Sequence, residues 1–181
     1  MPFPPGATAS QAALAIATTA QAEPRTRAGG GGLGPARLGR LVRQVASADQ
    51  WLERVMFSAD VRWFGRLELT EDYEIWLLSW LPGQRTGLHD HGEAAGAFAV
   101  VQGELQETLA QAGSCQLRHR PARQGTVRSF GEQHLHDMAN VSAAPAVSVH
   151  AYSPPLTAMR RYEMTPSGLV LVRIDHAELD W

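Results

Sequence analysis

Lysine is absent from this 181-residue chain, and all sixteen basic residues are arginine. Against eighteen acidic residues they leave a formal charge of −2 and no basic run. That balance excludes an evident nucleic-acid or anionic-membrane surface. Cysteine is nearly absent as well. The single Cys115 rules out an intrachain disulfide framework and a cysteine-based zinc cluster, and is read as a small buried structural residue. No apolar run approaches the roughly 18 residues of a membrane span. What remains, 44% apolar and 19% charged residues, is the composition of a globular protein with one ordinary core.

Residues 1–35 have few large apolar side chains and include the tract Gly29-Gly30-Gly31-Gly32. Such a segment cannot bury enough surface to offset its ordering entropy, so it is expected to be a disordered tail before a single domain over 36–181. Ala12–Ala17 followed by Ala20-Gln21-Ala22 faintly resembles an export signal. No Lys or Arg precedes it, however, and the expected location is cytoplasmic.

From Ala36 onward Leu38, Leu41, Val42 and Val45, then Leu52 and Val55, recur at helical spacing, predicting one or two short amphipathic helices. After Asp60 the pattern becomes short strands separated by Gly and Pro: Tyr73–Trp80, Gly96–Val101, Glu104–Leu109, Gly125–Phe130, Leu135–Val141 and Ala146–Tyr152. The fold class is therefore all-β, a sandwich or barrel with short N-terminal helices.

Chemistry concentrates in three pieces: Gly83-x5-His89-Asp90-His91-x4-Gly96-x6-Gly103, His136-x3-Asn140, and Ser148-x-His150-x-Tyr152. Strand side chains alternate, so His89 and His91 share one face while Asp90 turns away. Two imidazoles so placed suit Fe, Zn, Cu or Ni. A third ligand from another strand would leave open positions, as a catalytic metal requires. His134 and His136 share a face, so parity does not separate them. Glu93 has the parity of His91 and is a rival carboxylate. Ser148, His150 and Tyr152 also share a face, either as a polar network or as a relay able to donate and move a proton. His119 and His176 lack such context and are read as structural or exposed.

The glycine and histidine spacing of the first piece resembles the first cupin motif, and His136-x3-Asn140 resembles the end of the second. Gly96 stands where most metal-binding cupins place a glutamate ligand, a replacement typical of the thiol dioxygenases. Tyr73–Trp80 and Pro145–Pro155 are similar to further signatures of the cysteine dioxygenases, and the likeness runs from about Phe64 to Pro155. The resemblance implies a cupin double-stranded β-helix, a jelly-roll-like barrel, with Fe(II) held by His89, His91 and His136. It favours His136 over His134 as the third ligand.

It also implies that Ser148 orients His150 and His150 orients Tyr152, whose hydroxyl points at the substrate. Arg66, in Phe64-Gly65-Arg66, resembles the arginine that binds the substrate carboxylate, and Arg62 competes for that role if the register shifts. With Gly96 in place of a cysteine, no cross-link to Tyr152 can form at that position. Ser153-Pro154-Pro155 is a candidate for a cis peptide bond. The expected activity is oxidation of L-cysteine by O2 to cysteine sulfinic acid, in a monomer whose partners are a small thiol and oxygen. Alternatives are 3-mercaptopropionate as substrate and a cupin that only binds a ligand.

Overall fold

The structure is a computed structural model that describes residues 32–111 and 115–177. The expected tail lies outside the described residues up to position 31, as does the Ala12–Ala22 stretch. Helix α1 (Pro35–Ala46) opens on proline, whose fixed φ suits a first helical turn and whose missing N–H is not needed there. Leu38 and Val42, one turn apart, are wholly buried, while Arg37, Arg40 and Arg43 face outward. The Leu52 and Val55 spacing does not yield a second α-helix. Only a 3-10 turn forms, Asp49–Trp51, with Trp51 buried and Leu52 exposed.

Eleven strands follow among the described residues: β1 (Phe64–Leu69), β2 (Glu74–Trp80), β3 (Leu88–His89), β4 (Ala95–Gln102), β5 (Glu104–Ala110), β6 (Arg118–Arg123), β7 (Val127–Phe130), β8 (Leu135–Ala139), β9 (Ala146–Ser153), β10 (Ala158–Thr165) and β11 (Gly168–His176). They form two antiparallel sheets, one ordered β1-β2-β9-β4-β7 and the other β11-β10-β3-β8-β5-β6. No helix among the described residues is long and apolar enough to cross a membrane.

Period-two alternation divides the first sheet into two buried faces. Ile75, Leu77, Ala97, Ala99, Val147, Val149 and Ala151 pack beneath α1, where the small alanines of β4 let the helix approach closely. The opposite face sends Leu78, Trp80, Phe98 and Val100 inward against Leu105, Ala122, Met138 and Met159 of the second sheet. A sheet covered on both faces reads as an almost continuous apolar run, as β2, β4 and β9 do. Ser148, His150 and Tyr152 interrupt that run on the inner face alone.

Cys115 is exposed, correcting the expectation of a buried thiol. It precedes β6, an edge strand, and Gln116, Leu117 and Arg118 beside it are exposed as well. Ser153–Pro154 is cis. Gly103 joins β4 to β5 at φ +73°, and a Cβ there would lie 2.7 Å from the Pro145 carbonyl oxygen and 3.0 Å from Ala146. Left-handed strain and a backbone collision therefore coincide. Gly103→Ala should destabilise the fold by about 2 kcal/mol or more, seen as a lower denaturation midpoint; an unchanged midpoint would mean that the turn relaxes freely.

Candidate metal centre

His89 of β3 is the register partner of His136 on β8, which sets the two rings side by side. His91 follows two residues later on the same side, and the three ring centroids are 4.9 to 5.1 Å apart. One nitrogen from each lies within 4.8 Å of the others, and all three side chains are buried. Burial is the main reason that all three resist protonation. Repulsion from His136 adds to it at His89, from His89 and His136 at His91, and from His134 at His136, where the hydrogen bond to Glu107 works in the opposite direction. Three neutral imidazoles with lone pairs available are what a borderline metal ion requires.

The outer nitrogens are accounted for. His89 Nδ1 lies 2.9 Å from the Gly87 carbonyl oxygen and donates to it. His136 Nδ1 is 3.1 Å from Glu107 Oε1, so this ring donates to a carboxylate. Each bond fixes the tautomer that leaves Nε2 free. His91 is different: both of its nitrogens are buried without a hydrogen-bond partner. An orphaned buried imidazole is costly unless something else uses its lone pair, and a metal ion would do so. The residues present therefore fit a three-histidine metal centre.

Asp137 and Asp90, on the far side of these strands, hold the ligands in place. Asp137, next to His136 in sequence, pairs with Arg85 and accepts from Gly87 N at 2.9 Å and Thr86 Oγ1 at 3.1 Å. It thereby fixes the turn whose carbonyl grips His89. Asp90, between the two histidines, accepts from Arg160 Nε at 2.9 Å, Tyr162 Oη at 2.8 Å and Gly92 N at 3.0 Å. Burial opposes the charge on Glu107, yet donors from His134, His136 and Arg128 hold it well below the usual carboxylate range.

His134 does not join the triad. It lies behind Glu107, with Nε2 3.0 Å from Oε1 and its ring stacked on Phe130 at 4.1 Å. Glu93 is exposed, and His119, bonded to Thr108 at 2.9 Å, and His176 lie away from the triad. At Gly96 a Cβ would come within 2.5 Å of the Phe130 ring. That ring, stacked on His91 at 5.1 Å, fills the space where a side chain at Gly96 would project.

On the cavity side, Trp80 Nε1 donates to Ser148 Oγ at 2.9 Å. Indole N–H can only donate; the Ser148 hydroxyl keeps its own proton and lies 2.8 Å from His150 Nε2, so it can donate there or accept, according to the imidazole tautomer. His150 Nδ1 faces Tyr152 Oη at 3.3 Å; in the tautomer that accepts from Ser148, Nδ1 carries the hydrogen and the phenol proton is left free for the cavity. Burial lowers the His150 pKa to about 3 and raises that of Tyr152 well above the phenol range, so both are neutral. The cavity, about 400 Å³, is lined by His89, His136, His150, Tyr152, Trp76, Met138, Met159 and three arginines, Arg62, Arg85 and Arg161.

Arg66 is not among them. It is partly exposed, 3.7 Å from Glu74, and lines a neighbouring cavity. Phe64 and Trp76, edge to face at 5.8 Å, form the wall between the two spaces. Arg62 lies on the histidine side, over the Trp80 ring at 4.6 Å, with Nη1 buried and unbonded. Arg85 pairs with Asp137 and Arg161 with Asp175, but no carboxylate among the described residues is in ion-pairing distance of Arg62. Burial lowers its pKa to about 10, so it stays charged at neutral pH.

The chain matches the cysteine dioxygenase type I family over residues 41–165. It belongs to the cysteine dioxygenase type I family. It is 31% identical over 103 residues to cysteine dioxygenase type 1 of Danio rerio, covering 50% of each chain. The Rattus norvegicus protein of the same name is 28% identical over 99 residues, again covering 50% of each. The chain thus spans about half the length of the curated relatives it matches.

Among solved structures, a Thermus thermophilus protein superposes with a TM-score of 0.51 at 19% identity, covering 57% of this chain and 94% of that one. An RmlC-like cupin from Desulfovibrio desulfuricans gives 0.51 at 21% identity, covering 59% and 95%. These likenesses establish the cupin double-stranded β-helix. Within this family frame, sequence reasoning missed Trp80 and Glu107, whose partners Ser148 and His136 lie on other strands and leave no signal in the local sequence.

The buried imidazoles impose a pH dependence on the metal-free protein. In the folded apo protein His89, His91, His136 and His150 stay neutral, whereas the unfolded chain protonates them near pH 6.5. Protons therefore favour the unfolded state below that value, by roughly 1 kcal/mol per imidazole one pH unit lower. The thermal midpoint of metal-free protein should fall steadily from pH 7 to 5.5. A flat profile would show that the imidazoles are not buried as neutral groups.

Proposed function

We propose that the protein is a non-haem Fe(II) thiol dioxygenase that oxidises L-cysteine with O2 to cysteine sulfinic acid. The observation carrying this reading is a triad of neutral imidazoles, with no carboxylate, beside a cavity that holds Arg62, half-buried, with Nη1 unbonded and no carboxylate partner among the described residues. Bound Fe(II) would supply electron transfer to dioxygen, which redox-inert zinc cannot, and an undiminished +2 charge that favours a thiolate. His89, His91 and His136 would hold it. The reaction balances with both oxygen atoms bonded to sulfur, sulfur losing four electrons and O2 gaining four.

The chain's own groups supply binding and proton control. Arg62 pairs with the substrate carboxylate and fixes its orientation; a charge-assisted pair of this kind is strengthened by the partly desolvated wall of Phe64, Trp76 and Trp80. Trp80 donates to Ser148, Ser148 to His150 Nε2 and His150 Nδ1 to Tyr152 Oη, so that Tyr152 offers its phenol hydrogen to the reacting sulfur and oxygen. Neutral His150 keeps that direction unchanged through the physiological pH range. The apolar lining, Leu78, Met138 and Met159, limits water around the thiolate.

A second reading has one observation in its favour. Among the described residues the only acidic side chain lining the cavity is Asp60, and it is exposed. The cavity therefore offers little to an ammonium group, and 3-mercaptopropionate, which lacks one, is the alternative substrate. Anaerobic reconstitution with Fe(II), followed by oxygen uptake and sulfinate formation with cysteine, 3-mercaptopropionate and cysteamine, separates these. Both acids should outperform cysteamine, which leaves Arg62 unpaired. Arg62→Gln should lower kcat/KM for the acids by about 10- to 100-fold, the worth of a hydrogen bond to a charged group. Arg66→Gln should stay within about threefold of wild type. Stoichiometric iron with no thiol oxidised would leave a ligand-binding cupin instead.

A further inference from the structure

Glu107 has no part in the chemistry above, yet it is almost wholly buried, projecting from β5 beside His136. Its Oε1 is shared: His136 Nδ1 lies 3.1 Å away and His134 Nε2 3.0 Å away. Its Oε2 accepts from Arg128 Nη1 at 2.7 Å and has Arg120 at 3.7 Å. Behind this group is a separate cavity of about 430 Å³, on the other side of His136 from the substrate, lined by Arg118, Arg120, Arg128, Phe130 and His134.

We propose that Glu107 is a positioning residue for the metal centre: locked by Arg128 and His134, it accepts the Nδ1 hydrogen of His136 and so turns Nε2 toward His89 and His91. This rests on reading the three histidines as metal ligands. A neutral imidazole has one N–H and two tautomers, and a buried carboxylate beside Nδ1 selects the tautomer that leaves Nε2 as the donor atom. His89 relies for the same choice on a neutral carbonyl, a weaker acceptor. Arg128 matters because an isolated buried carboxylate could not remain charged. His134 closes the outer side, its ring wedged against Phe130, which in turn stacks on His91. One carboxylate thus fixes one ligand directly and is tied by packing to a second.

The three atoms Glu107 Oε1, His134 Nε2 and His136 Nδ1 lie 3.0 to 3.2 Å apart, a spacing that a second metal ion could also use. Two guanidiniums on the same carboxylate oppose a further cation there, which favours the positioning role.

The test is a Co(II) titration of the metal-free full-length protein and of Glu107→Gln and Glu107→Ala. Affinity is read by competition with a chelating dye and ligand geometry by the visible Co(II) absorption. Wild type should bind one equivalent. Glu107→Ala should bind 10- to 100-fold more weakly with shifted absorption bands. Glu107→Gln, which keeps an oxygen acceptor and disturbs Arg128 less, should be intermediate and retains the test if the alanine variant does not fold. Wild-type affinity and spectrum in the folded variants would overturn the proposal while leaving the metal centre intact. No binding by wild type would remove both. A second equivalent lost on replacing His134 would make Glu107 a ligand instead of a positioning group.

Discussion

Keeping three imidazoles neutral, buried and mutually adjacent is the constraint on which the rest of the site depends. Water would otherwise satisfy their nitrogens, and low pH would charge them. The fold removes the water by closing two sheets over the triad, then compensates two of the three rings through Nδ1, using the Gly87 carbonyl and Glu107. His91 keeps both nitrogens unbonded between the rings of Phe130 and Tyr152. Such an arrangement is stable at modest cost only if a metal ion takes up the remaining lone pairs.

The same economy explains why neighbouring residues in sequence act on different sides. Asp90 and Asp137 stand beside ligands but face away from them, anchoring the turn at 85–87 and strand β10. On β9 the outward residues Val147, Val149 and Ala151 seal the sheet against α1, while Ser148, His150 and Tyr152 build a directed hydrogen-bond row inside. One strand serves packing and chemistry at once because its period is two.

Much of this was legible in the chain because it depends on local alternation. The His89-x-His91 pair, the Ser148-x-His150-x-Tyr152 row and six strands can all be read within short windows. Strands β1, β3, β6 and β10 could not, being very short or interspersed with arginine and other polar residues. Strand β11 carries the apolar run Leu169–Val172 and was legible by the same rule, but was not among the strands expected. Contacts across the barrel were equally hidden: Trp80 meets Ser148 across 68 residues and Glu107 meets His136 across 29. Arg62 and Arg66 differ only in which side of the Phe64–Trp76 wall they reach, a distinction that emerges when that wall is assembled. Cys115 was misread because a residue type's usual burial does not decide a particular position, and the approach to an edge strand is open.

The most direct measurement is X-ray absorption of the Fe(II)-loaded protein, taken without air before and after adding cysteine. Three imidazole neighbours in the first spectrum and a new sulfur neighbour in the second are the predicted result. A carboxylate-rich iron environment, or one that gains no sulfur at saturating cysteine, would contradict a thiolate-binding three-histidine centre.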